Sequence, residues 1–196
     1  MSNYVSIAVF DAASGRISRV CTLQEEFIQG SLLPTENFVY GEVDNSLYYI
    51  DTNTLEPVLY PPKLSHYHQF NFVTKQWEDT RTLEQVQTMT WNNMKALRSQ
   101  KESAGFTWDG SVFDSDRVSQ SRIMGAVQLA GMNPAFEIPW TLQNNSVRVL
   151  NAADMISVGA TLGSHVATIF ARAQELRTEI YAASTIAEVE AITWET

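Results

Sequence analysis

Residues 151–183 carry the clearest periodicity in the chain. Met155, Leu162, Val166, Ile169, Ala173, Leu176 and Ile180 form one apolar stripe, and past Leu162 the spacing alternates between four and three. That is the pattern of an amphipathic helix. Asn151 is placed to cap it, with Asp154 in the first turn, where the helix dipole favours negative charge. Beside the stripe lie Gly159, Ala160, Gly163, Ser164 and Ala167. Interior glycines weaken a helix, so they predict close packing of a neighbouring element on this side, within the chain or between copies of it.

Two more helices announce themselves by their ends. Thr82-Leu83-Glu84-Gln85 has the capping-box layout and opens a helix from Leu83 to about Ser103, with Val86, Met89, Trp91, Met94 and Leu97 partly buried and Gly105 ending it. Ser115 is placed to cap a helix over 116–131, with Ile123, Val127 and Ala130 inward. Thr185 and Glu188 repeat the capping box before a short final helix closed by Trp194.

Alternation with period two marks strands. Residues 4–10 and 16–23 flank the turn Asp11-Ala12-Ala13-Ser14-Gly15, and residues 37–43, 47–50, 57–60 and 70–77 read as further strands. Phe10-Asp11, Ile50-Asp51 and Phe70-Asn71 share one layout: apolar residue, Asx, then a hydroxyl three positions on at Ser14, Thr54 and Thr74. An Asx side chain closes a turn on the backbone two residues ahead, so each copy predicts a hairpin corner. Tyr60-Pro61-Pro62-Lys63 interrupts any ladder and is the linker candidate of this half.

In the second half Asp109-Gly110 lies between short apolar runs and predicts a two-residue hairpin with Phe106 opposite Phe113. A turn at Asn144-Asn145 would pair Leu142 with Val147 and Trp140 with Val149. Ile138, Trp140, Leu142, Val147 and Val149 then share one face, with Thr141 and Arg148 pointing away.

Composition narrows the function classes. The net charge is −9 over 196 residues, divided as −5 in residues 1–78 and −4 in the remainder. No basic stripe meets a phosphate backbone, so nucleic acid is excluded as an expected partner. Cys21 is the single cysteine, which rules out an internal disulfide and a thiolate metal cluster. No apolar run suggests a signal peptide or membrane span, and the expectation is a soluble protein made in the cytoplasm.

The motifs of enzymes are missing: no phosphate loop, no Gly-x-Gly-x-x-Gly, no His-Glu-x-x-His and no nucleophile elbow. Asp109, Asp114 and Asp116 could be posed as paired acids, but turn, pre-cap and first-turn positions explain each more simply. His66 and His68 share a face if extended, yet no third ligand stands near, and His165 has no carboxylate one helical turn away. It reads as a packing or interface residue. Trp108, Trp140 and Trp194 could stack on sugars; filling the seam between hairpins and helices suits them better. No catalytic, cofactor-binding or metal-binding residue is expected.

Residues 106–194 resemble the DUF4376 family, a tail-associated phage domain. The resemblance rests on Phe106-Thr107-Trp108-Asp109-Gly110, Phe113-Asp114-Ser115-Asp116, Ser119-Gln120, Arg122-Ile123, Gly125-Ala126-Val127, Trp140-Thr141-Leu142 and Asn145-Ser146-Val147. It continues through Ala152-Ala153-Asp154-Met155, the helix with Gly159 and His165-Val166, and the segment from Ala187 to Trp194. The first half is similar to N-terminal regions of phage tail-fibre and fibre-assembly proteins, through Phe10 to Gly15 with Ile17, Tyr49-Ile50-Asp51 with Thr54, and Phe70 to Trp77 followed by Thr80 to Leu83. The polar signature residues Asp114, Asp116, Gln120 and Arg122 are expected to serve turns and caps.

The expected fold is α+β: a small β-rich N-terminal domain over 1–78, a connecting helix over 79–105, and a helical domain over 106–196 with two β-hairpins packed on three or four helices. The resemblance implies a structural component of a bacteriophage tail, at the baseplate or the tail-fibre attachment. It would work through protein–protein contacts with other tail proteins as a homo-oligomer or in several copies, without nucleic acid or membrane partners. The alternative is a tail-fibre assembly chaperone that the virion does not retain.

Overall fold

Strand β1 (Tyr4–Asp11) organises the first part of the chain. Ile7, Ala8, Val9 and Phe10 are all fully buried there, so both faces of the strand are covered. Its partners are β2 (Ile17–Gln24) and β3 (Glu36–Tyr40), in an antiparallel sheet of order β2-β1-β3. Alternation then sorts the side chains. Ala8 and Phe10 pack with Ile17, Val43 and Ile50, whereas Ile7 and Val9 pack with Ile28 of the one-turn helix α1 (Ile28–Ser31). The computed structural model describes residues 3–195, which form an α+β fold divided into two compact units, the first ending at Arg81 and the second beginning at Thr82.

The rest of the first unit is two hairpins, β4 (Tyr48–Ile50) with β5 (Pro57–Leu59), and β6 (His68–Asn71) with β7 (Gln76–Asp79). The three Asx motifs are hairpin corners of one geometry. Three residues on, the N–H of Ser14 donates to Asp11 Oδ1 at 2.8 Å, that of Thr54 to Asp51 Oδ1 at 3.2 Å and that of Thr74 to Asn71 Oδ1 at 3.3 Å. In each, the residue four places on returns its N–H to the Asx carbonyl and takes positive φ: Gly15 at 77°, Leu55 at 60° and Lys75 at 58°. Glycine is required at the first corner for a second reason. A Cβ on Gly15 would lie 1.9 Å from the carbonyl oxygen of Ile50, because Ile50 N–H donates to Gly15 O at 2.9 Å.

Residues 70–77 are therefore two strands and a corner, not the single strand that their alternation suggested. Tyr60-Pro61-Pro62-Lys63 is likewise no linker. Tyr60 sits in an aromatic group with Tyr49, Phe70, Phe72 and Trp77, and Trp77 Nε1 donates to Pro61 O at 2.6 Å. The prolines end one hairpin, and the Pro61 carbonyl anchors the next. Lys75 ties the corners together by donating to Ser14 O at 2.9 Å, with its ammonium 4.8 Å from the Tyr49 ring centre.

In the second unit α4 (Ala152–Ala182) is the spine. Asn151 and Asp154 form a reciprocal capping box at its start. Its C-terminal half packs on α2 (Leu83–Glu102), capped by Thr82 and Gln85, which also packs on α5 (Ile186–Ala191), capped by Thr185 and Glu188. Val86, Met94, Leu176, Ile180 and Val189 are buried there, with Trp91, Leu97 and Trp194 against them. Met89 is exposed, contrary to its predicted burial. The N-terminal half of α4 packs on α3 (Arg117–Met132) and on two hairpins, β8 (Phe106–Trp108) with β9 (Ser111–Phe113) and β10 (Glu137–Thr141) with β11 (Val147–Asn151). Phe106, Phe113, Ile123, Leu142, Leu150, Met155, Val158 and Leu162 fill that core.

The β8–β9 hairpin has the expected register, Phe106 opposite Phe113, and its turn places Asp109 at φ 44° and Gly110 at φ 71°. The second hairpin departs from expectation by one residue. Trp140 faces Arg148 and Thr141 faces Val147, not Trp140 with Val149 and Leu142 with Val147. The connection runs from Leu142 to Ser146, with Leu142 N–H donating to Ser146 O at 2.8 Å and Asn145 at φ 63°. Leu142 leaves the strand and enters the core. The slip turns Val147 and Val149 outward and buries Leu150.

Candidate binding site

Ser115 holds the middle of the second unit together. It is fully buried; its Oγ donates to Glu102 O at 2.6 Å and accepts from Gly105 N–H at 2.8 Å, while Gln120 Nε2 donates to Ser115 O at 2.8 Å. One residue thus joins the end of α2, the exit of β9 and the start of α3. The helix cap assigned to Ser115 belongs instead to Asp116, whose Oδ1 accepts from the N–H of Val118 at 2.9 Å and of Ser119 at 3.2 Å. The Ser119 hydroxyl and these N–H groups hold the Asp116 carboxyl below its ordinary pKa.

A second latch joins the hairpins. Arg148 stands 4.7 Å over the Trp108 ring, donates to Asp109 O at 3.1 Å and Ser111 Oγ at 3.0 Å, and pairs with the Asp109 carboxylate. Trp108 Nε1 in turn donates to Ser157 Oγ on α4 at 2.9 Å. Arg148 lies on the Trp140 side of its strand, not on the outer face. Trp108 fills the seam, as anticipated, and Trp194 packs in the core at the α2–α5 end.

Of the four polar signature residues, two serve the scaffold and two do not. Asp116 caps α3 and Gln120 braces Ser115. Asp114 and Arg122 are exposed and, among the described residues, their side chains make no hydrogen bond or ion pair. Both line a hollow of about 340 Å³ whose other walls are Ser119, the segment from Ile138 to Leu142, and Asn145. Thr141 Oγ1, the Asn145 side-chain amide and Trp140 Nε1 also lack hydrogen-bond partners among the described residues. Trp140 is half-buried, with one side on the core. Residues that carry an acid, a guanidinium, an amide, a hydroxyl and an indole N–H thus line one hollow, and none of those groups bonds another described residue.

A larger depression of about 550 Å³ lies along α4 at Lys101, Phe106, Thr161, Ser164, His165 and Thr168. Three of its hydroxyls are occupied: Thr161, Ser164 and Thr168 each donate to the carbonyl four residues back. His165 packs its ring 6.1 Å from that of Phe106. His66 and His68 do not form the extended pair the sequence suggested. His66 lies in a turn, its ring 3.8 Å from that of Tyr67, and His68 Nδ1 bonds the Ser65 hydroxyl at 2.8 Å. Among the described residues no three of His, Cys, Asp and Glu are grouped to hold a metal ion.

By sequence Asp114 and Arg122 belong to turns and caps, because their neighbours do serve there. The Trp140 segment lies far along the chain, and only the fold brings it to them. Comparison with known proteins finds no match among curated proteins and none among solved structures. One family model matches, the Domain of unknown function (DUF4376), over residues 85–193. That span covers α2 to α5 with both hairpins, the whole frame of the hollow, and more than half of the chain: the protein belongs to the DUF4376 family.

Proposed function

We propose that the protein is a structural component of a bacteriophage tail, at the baseplate or tail-fibre attachment, and that copies of it pack through α4. The phage setting rests on the sequence resemblance to tail-associated and fibre-assembly proteins. The packing rests on one observation, the outer face of α4. From Met155 to Ala171 this helix has no Asp, Glu, Lys or Arg, although much of it faces outward. Ile156, Ala160, Gly163, Ala167 and Phe170 are exposed at alternating spacings of four and three, with Ile156 and Phe170 46% and 47% accessible. That is the spacing of a helix–helix seam, and small residues at its centre let a second backbone approach closely. A long surface helix in a monomer ordinarily carries charge on its outer face.

Mass spectrometry of purified virions tests the assignment. A fixed ratio to the other tail proteins supports a virion part. Absence from particles, together with fibre that is insoluble unless the protein is co-expressed, replaces it with the assembly-chaperone reading.

A further inference from the structure

We propose that the hollow between the start of α3 and the β10–β11 hairpin binds a neutral saccharide unit. Two charges of opposite sign stand at its border. Asp114 disfavours an anion in the space and Arg122 disfavours a cation. Had the two met, they would have cancelled each other, but they form no ion pair across the hollow. The occupant suited to both is uncharged and offers donors and acceptors on adjacent atoms. Vicinal hydroxyl groups have that property: one donates to the Asp114 carboxylate while its neighbour accepts from the Arg122 guanidinium, each bond strengthened by the charged partner.

The remaining lining fits the same ligand. Asn145 supplies both a donor and an acceptor, Thr141 a hydroxyl, and Trp140 an indole N–H, none with a partner among the described residues. Trp140 gives an apolar surface of the kind that the C–H face of a pyranose ring requires. A volume of about 340 Å³ stands at the small end of ligand sites and suits one or two sugar rings better than a folded partner. No residue of α4 lines the hollow, so sugar binding there is independent of the tail assignment.

The test is a titration of the full chain, observed by ¹H–¹⁵N NMR, with glucose, galactose, N-acetylglucosamine and maltose, each to about 50 mM, a range that covers millimolar binding. The signals read are the Trp140 indole N–H and the backbone amides of Thr141 and Asn145. Sodium acetate and an acetylated tripeptide serve as the anionic and peptide probes. At least one sugar is expected to give saturable shifts at these signals. Asp114→Asn and Arg122→Ala, at exposed positions outside the core, should each weaken that sugar about tenfold while leaving the melting temperature unchanged. The proposal is overturned if no sugar moves the three signals. Shifts with acetate or the tripeptide alone, or sugar shifts that survive both substitutions, overturn it equally.

Discussion

A Cβ built on Gly159 of α4 would lie 2.5 Å from Cγ2 of Val127 on α3. Four residues on, Gly163 has nothing within 4 Å of the same position. The sequence presents these as a matched pair of interior glycines, and the fold separates them. One accommodates a neighbour inside the chain; the other is open.

Opposite stability changes follow. Alanine raises helix propensity by about 1 kcal/mol at either position. At Gly159 that gain is outweighed, because Val127 is β-branched, stiff at χ1 and packed against the core, so Gly159→Ala should lower the melting temperature. Gly163→Ala should raise it for the separate chain. If copies meet on α4, the same Gly163→Ala change should weaken self-association in sedimentation equilibrium. A variant that melts higher and associates unchanged would remove Gly163 from any seam.

Gly110→Val isolates backbone strain. No atom lies within 4 Å of the added Cβ, but φ is 71°, where a β-branched residue is disfavoured. A loss of about 1–3 kcal/mol is expected in urea unfolding. Gly110→Asn, which tolerates this conformation, should recover most of it.

Ser115→Ala removes the donor to Glu102 O and the acceptor for Gly105 N–H at a fully buried site. Leaving such groups unsatisfied costs about 1–3 kcal/mol. Hydrogen exchange should report the loss first at the N–H of Gly105, while the Asp116 cap on α3 persists.

Acid acts on the first unit through Glu36. The Arg19 guanidinium, followed by the N–H of Leu33, draws the Glu36 carboxyl from its ordinary value of 4.5 down to about 2. A depressed acid stabilises the folded state above its unfolded pKa, and that contribution disappears as pH falls through the folded value. The first unit should lose stability between about pH 4.5 and pH 2. Asp79, held at about 2 by Arg81, acts with the same sign. Glu36→Gln should be less stable at neutral pH and show a shallower acid slope when the urea midpoint is followed against pH.

What the sequence reveals divides by range. Capping boxes at Thr82 and Thr185, the Asn151 cap, the Asp109-Gly110 turn and the three Asx corners are legible because each is settled within five residues. The β10–β11 register is not, since Leu142 belongs by pattern to the strand and by packing to the core, and only the core decides. The alternation from Phe70 to Trp77 misleads for a related reason: aromatics on either side of a corner mimic one continuous strand. The hollow at Asp114 was hidden by distance along the chain. Nothing near Arg122 in sequence hints at Trp140, and a cap motif supplies a sufficient local explanation for that neighbourhood.

The position of Ser115 sets the smallest piece of this protein worth expressing. A fragment beginning at Phe106 would include both hairpins and three helices, yet would discard the carbonyl that receives the Ser115 proton and the amide that returns one. It would also strip the covering of Leu176 and Ile180 that α2 provides. Cloning boundaries for the second unit therefore belong before Thr82, so that the capping box and the joint at Ser115 travel together.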